Sequence, residues 1–207
     1  MPQPGRPRQF DSQQALEMAT RHFWTHGYAA TSIQDLMQCM QLSKSSLYQV
    51  FGGKKQLLLQ AIHHYQHQLC ERLQRQLDAS DNGLDFFRQL LDEVIADATP
   101  ESERAGCLFV NLANEIGPHD ADISAVLSRG IVSVEPIFIA ALDKAKSQQL
   151  IDAQANSQQL ASFILAAISG MRTMIRAGVN TATLEAIAES IISHLSEAGA
   201  CHSKDSR

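Results

Sequence analysis

The residues best placed for directed polar contacts sit in one short stretch, Leu42 to Lys55, which reads LSKSSLYQVFGGKK. Three lysines, three serines and a tyrosine crowd among a few apolar positions. Wound as a helix, the stretch puts Leu47, Val50 and Phe51 near one side, with Leu42 just before the cap, and Lys44, Ser45, Tyr48 and Gln49 opposite. Those are groups that read nucleic acid. Lys44 reaches guanine acceptors or phosphate, Gln49 pairs with a base edge, Ser45 and Ser46 suit either target, and Tyr48 offers a hydroxyl to phosphate. Lys54 adds a cation and a backbone amide at the start of the next helix, where phosphate binds well.

Other chemistries find less support. No GxSxG, HExxH, Walker A or dinucleotide fingerprint occurs, and GGKK lacks the preceding glycine and following hydroxyl of a phosphate-cradling loop. His63, His67 and Cys70 have the i, i+4, i+7 spacing of metal ligands, but His64, Gln66 and Gln68 beside them describe a solvated face. Neither a metal nor a cofactor is expected. Glu115 and His119, four apart across Gly117-Pro118, are the acid–base candidates of an alternative reading as a small helical enzyme; a pure interaction module is a third reading. The four cysteines, Cys39, Cys70, Cys107 and Cys201, form no CxxC pair and read as reduced thiols.

The elements that must position the polar stretch are helical. Strand alternation is almost absent while 3.6-residue periodicity is nearly continuous, so the fold is all-α. Asp11 is the expected N-cap of a first helix through Phe23 and Trp24, ended by Gly27. Thr31, three residues before Gln34, opens a short helix to about Met40 as a capping box. Ser43 caps the next, which runs to Phe51 and stops at Gly52-Gly53; a long helix follows from Lys54 to about Leu77. Breaks at Asp81-Asn82-Gly83, Thr99-Pro100, Gly117-Pro118, Leu150 to Asp152 and Gly178 to Asn180 divide the remainder into about five helices, about nine in all, one of them kinked at Pro136.

Charge follows the same division. The formal net charge of -5 conceals six basic against three acidic residues in 1–60, and eleven against nineteen in 61–207. A basic module on an acidic body suggests a polyanion partner for one end. Hydrophobic residues make up 44% of the 207, enough for a real core. The apolar runs are broken before bilayer length, and MPQPGRPRQF lacks the apolar segment of a signal peptide, so a cytoplasmic protein without membrane attachment is expected.

Two short capped helices, a four-residue turn and a Gly stop have the dimensions of a helix-turn-helix, whose second helix fits a major groove about 12 Å wide. From about Phe10 to Ile62 the chain resembles the DNA-binding domain of TetR-family transcriptional regulators. AATSIQDLMQCMQLSKSSLYQVFGGKKQLL follows that family's pattern of a Thr-Ser cap, a short helix, Ser-Lys-x-x-Leu-Tyr-x-x-Phe and a Lys opening the fourth helix. The resemblance implies phosphate contacts from Thr31, Tyr48 and Lys54, and base-facing positions at Lys44, Ser45, Ser46 and Gln49. There are two departures. Met40-Gln41 stands where many members have Ala-Gly, placing a side chain at a left-handed position at a cost of about 1 kcal/mol; and Gly52-Gly53 replaces polar residues, so one usual phosphate contact is missing. Separately, Arg6 and Arg8 in Gly5-Arg6-Pro7-Arg8 form an extended arm suited to a narrow minor groove.

In the remainder, Leu160 to Ile175 and Leu184 to Leu195 carry wide apolar stripes, with Ala166, Ala167, Ser169 and Gly170 permitting close approach. Homodimerisation through these two helices is the natural use, and the resemblance implies the same. Recognition helices about 34–36 Å apart would then meet a near-palindromic operator on double-stranded DNA. The resemblance further implies a repressor and a body that encloses a pocket for a small-molecule inducer. That gives the expected division into 1–55, arm and helix-turn-helix, and 56–207, ligand binding and dimerisation. Candidate lining residues are Phe87, Leu91, Cys107, Asn111, Phe138 and Met171. Cys107, in AGCLFVNLANEIG at a helix start where a thiol pKa falls, sits in a Gly-Cys-Leu context similar to that of members responding to electrophiles and oxidants.

Overall fold

The computed structural model describes residues 11–98 and 106–197, and every regular element among them is helical. Asp11 caps α1 (Ser12–His26) by accepting from the Gln13 and Gln14 amides, and Gly27 ends it at φ 82°. The capping box of α2 (Ile33–Met40) lies one residue later than expected: Ser32 and Asp35 bond reciprocally, while Thr31 turns inward. Gln41 takes the expected left-handed turn, at φ 55° and ψ 41°, before α3 (Lys44–Phe51). Gly52 and Gly53 then reverse the chain into α4 (Lys54–Ala79), a rod of 26 residues.

The body comprises α5 (Gly83–Ala96), α6 (Leu108–Glu115), α7 (Ala121–Val132), α8 (Glu135–Ser147), α9 (Ser157–Arg176) and α10 (Thr181–Glu197), with a 3-10 turn at Gly117–His119. Only Ser133-Val134 separates α7 from α8; counted as one interrupted rod, they leave nine α-helices among the described residues, as expected. The expected kink at Pro136 is this break. Pro136 sits in the first turn of α8, where a missing N–H leaves no intrahelical bond unmade. Although α7 and α8 together are apolar and long enough to cross a membrane, they pack against α4, α5, α6 and α9 as core helices.

Apolar packing does not part at residue 55. One cluster joins Phe23, Leu36, Leu47 and Phe51 of the first three helices to Leu57, Leu58 and Ile62 of α4, Phe109 and Leu112 of α6, and Ile123 and Leu127 of α7. The second gathers Leu73 and Leu77 of α4 with α5, α8, α9 and α10. Two glycines set helix spacing: a Cβ on Gly83 would lie 1.9 Å from the Ala141 carbonyl, and one on Gly130 would meet the Phe109 ring at 2.3 Å.

Candidate nucleic-acid interface

The polar stretch forms the face expected of it because two side chains pin α3. Leu47 and Phe51 are buried in the cluster shared with α1, α2 and α4. Lys44, Ser45, Tyr48 and Gln49 are consequently exposed, Ser46 half so. Ser43 organises the first turn: its hydroxyl oxygen accepts from the Ser46 amide at 3.2 Å and lies 2.9 and 2.8 Å from the Ser45 and Ser46 hydroxyls. Val50, expected on the buried side, is instead 43% exposed, since it lies about 100° round the helix from Phe51.

Thr31 requires a correction. Its side chain is 1% exposed and its hydroxyl donates to the Gly27 carbonyl at 2.6 Å, so it fastens the α1–α2 turn and cannot reach a phosphate. Ser32, exposed beside it, is the hydroxyl available there. Tyr48 is 47% exposed, its ring edge resting against Gly53. The Lys54 ammonium lies 4.2 Å from the Tyr28 ring centroid; burial lowers its pKa, while the Glu115 and Asp35 carboxylates act in the opposite sense. Lys55 points away from α3 and bonds Asp120 and Asp122 at the start of α7. Arg6 and Arg8 lie outside the described residues.

Body and head meet at a second carboxylate. Glu115, the last residue of α6, accepts from the Tyr28 amide at 3.0 Å and the Ala29 amide at 2.6 Å. Both its oxygens are thus engaged by backbone amides of the head. Among the described residues no group of three metal-ligating side chains occurs.

Behind α6 lies a cavity of about 60 Å³ between α4, α5, α7, α8 and α9, walled by Tyr65, Leu73, Cys107, Phe109, Phe138 and Ile168 among others. Of the expected lining residues, Cys107 and Phe138 are there. The rest are elsewhere: Phe87 is sealed in the aromatic core against Phe86 and Phe138, Leu91 borders a groove between α5 and α10, Asn111 faces a cleft with His26 and Glu115, and Met171 is core. Cys107 is the N-cap of α6 and lines the cavity beside Tyr65; burial, and then this thiol, push the Tyr65 pKa up. Tyr65, Leu69 and Arg72 escaped sequence reading, although their i, i+4, i+7 spacing places them on one face of α4. Arg72 pairs with Glu93, and Arg172 with Asp97 at 2.8 Å, at the cavity's rim.

The stripes of α9 and α10 divide between two uses. Leu160, Ile164, Ile168, Met171 and Ile175 face the chain's own core, as do Leu184, Ala188, Ile191 and Leu195. Phe163, Ala166 and Gly170 remain exposed on α9, with Phe163 meeting His194 of α10 edge-on at 5.2 Å.

A pinned polar helix set on a two-helix turn, above a helical body, defines a helix-turn-helix DNA-binding transcriptional regulator. The comparisons agree: residues 15–61 match the model of bacterial regulatory proteins of the tetR family, and residues 83–191 that of the tetracyclin repressor-like C-terminal domain. The chain belongs to the TetR family. It is 31% identical over 145 residues, 70% of this chain and 74% of the relative, to the uncharacterized HTH-type transcriptional regulator YezE of Bacillus subtilis. To the HTH-type transcriptional repressor ComR of Escherichia coli it is 28% identical, covering 89% of this chain and 88% of that one. Among solved structures, a cysteine mutant of the TetR family regulator CifR, complexed with 26-bp double-strand operator DNA, superposes with TM-score 0.79 at 27% identity over 91% of this chain and 98% of the other.

Proposed function

We propose that the chain is a homodimeric repressor that binds a near-palindromic operator and is released by a small-molecule or thiol-reactive inducer. The observation that carries this reading is the exposed α3 face held by Leu47 and Phe51. Lys44, Ser45, Ser46 and Gln49 face bases, Tyr48, Lys54 and Ser32 hold phosphate, and Arg6 and Arg8 enter the minor groove. The bare strip of Phe163, Ala166 and Gly170 supplies the dimer contact. Residues 1–55 serve DNA and 56–207 serve dimerisation and sensing, in the cytoplasm where the DNA is; no residue is assigned to catalysis.

The cavity bears on the inducer. About 60 Å³ holds roughly two waters, so a larger occupant must displace some of the helices that wall it, α6 among them. An electrophile adding to the Cys107 sulfur would place its carbon skeleton in that space. An inducer acts only through differential affinity for the two arrangements.

The test is selection of bound fragments from the surrounding genome, followed by affinity measurements at about 50 and 200 mM salt. A recurring near-palindrome with steep salt dependence supports the reading. Binding without sequence preference, or none at all, refutes it.

A further inference from the structure

We infer that Glu115 is a positioning residue for operator binding, tying the α1–α2 turn of the DNA-binding head to the wall of the cavity through the eight residues of α6. The inference rests on the regulatory reading above and adds to it the physical link between the two sites. Glu115 receives the Tyr28 and Ala29 amides, at 3.0 and 2.6 Å, across 87 and 86 residues of sequence. These are backbone donors just past the end of α1, where no intrahelical acceptor serves them. The seat is shaped for the carboxylate: a Cβ on Gly27 would lie 2.7 Å from Glu115 Oε2.

The same turn reaches α2 and α3 through short connections. Thr31 locks the Gly27 carbonyl at 2.6 Å, Ser32 caps α2, and the Tyr28 ring carries Lys54 at the foot of α4. At the other end of α6, Cys107 is the N-cap and Phe109 and Val110 wall the cavity. Eight helical residues make a rod of about 12 Å. Leu108, Phe109 and Leu112 are buried along this rod, so it is held as one packed piece that can carry a displacement at Cys107 to Glu115. Immediately beyond, Asp120 and Asp122 hold Lys55. The segment from 107 to 122 therefore walls the cavity at one end and, besides its apolar packing, makes two polar ties to the head.

Binding linkage is reciprocal: if the cavity wall moves the head, operator DNA must alter the cavity wall. The experiment measures the rate of N-ethylmaleimide modification at Cys107, read by peptide mass spectrometry on the full-length protein, with and without the selected operator fragment. In the wild type, saturation with operator is expected to change the rate by about fivefold or more. Glu115→Ala is expected to bring the two rates within about twofold while operator is still bound; Glu115→Gln, which keeps one acceptor oxygen, falls between. Operator binding with a wild-type ratio of one, or a Glu115→Ala ratio equal to the wild type's, overturns the inference and leaves the regulatory reading intact. Should the Ala variant lose its helical spectrum, Glu115→Gln decides alone, and a wild-type ratio there overturns it. Absence of operator binding by the wild type sinks both.

Discussion

The Lys54 ammonium stands 4.2 Å from the centre of the Tyr28 ring, joining the foot of α4 to the turn before α2. Ring and cation are set together beside the recognition helix, with the charge on the side of the α4 amino terminus. Burial lowers this lysine's pKa, and a phosphate would oppose that shift.

Lys54→Ala is therefore expected to weaken operator and random DNA alike, and to lower the salt slope by about one per protomer. Fluorescence anisotropy titrations at several salt concentrations measure both. A loss confined to the operator would remove Lys54 from the phosphate contacts.

Gln49→Ala acts on a different quantity. Loss of a base-edge contact is expected to cost about 1–3 kcal/mol on the matched operator and far less on random DNA, relaxing specificity at one base pair of each half-site. Competition with single-base operator variants identifies the position. Equal losses on every variant would contradict base readout.

Phe163→Asp and Gly170→Glu place charge on the bare strip of α9. Both are expected to shift sedimentation from dimer to monomer and to weaken operator binding by about 10²-fold, because the second half-site loses its tether. Helical content should be unchanged, since neither residue belongs to the buried core. An unaltered sedimentation coefficient would move the dimer contact elsewhere.

Gly83→Ala tests the crossing of α5 and α8. Its Cβ would fall 1.9 Å from a backbone carbonyl that no rotamer change can move, so a loss of about 1–3 kcal/mol is expected in urea unfolding. Gly117→Ala, which has nothing within 4 Å, provides the comparison at about 0.5 kcal/mol or less.

The Lys55 ammonium holds the Asp120 carboxyl below the usual aspartate range, and Asp120 in turn raises the Lys55 pKa. A depressed carboxyl stabilises the fold above its unfolded pKa of about 3.9, and the benefit vanishes as pH falls through the folded value. The raised lysine contributes below about 10.4 and is lost as pH climbs past its folded value. Thermal melts of Asp120→Asn are thus expected to match the wild type more closely at pH 3 than at pH 7. A constant difference across that range would dissociate the pair from acid stability.

What the sequence made legible was local. Ser43, Leu47, Phe51 and Gly52 define α3 by capping, period and stop signal within ten residues, and the structure agrees at each. Where two hydroxyls compete, local chemistry is ambiguous: Thr31 and Ser32 both suit an N-cap, and only the nearby Gly27 carbonyl turns Thr31 inward. Apolar residues are ambiguous in a different way. Phe87 and Met171 fill core while Phe138 reaches the cavity wall, yet all three have the same hydrophobic signature. The tie made by Glu115 was unreadable because its partners lie 86 and 87 residues away and are backbone amides, which every residue but proline possesses.

The apolar cluster that runs from Phe23 and Leu47 through Ile62 to Phe109 and Leu127 also limits how this protein can be recombined. A hybrid spliced at residue 55, giving this body another regulator's head, would cut through the middle of that cluster and face Phe109, Leu112 and Ile123 with foreign side chains. Exchange of DNA specificity by transplantation would have to carry α6 and the first turns of α7 along with the head, or else be confined to the outward residues of α3.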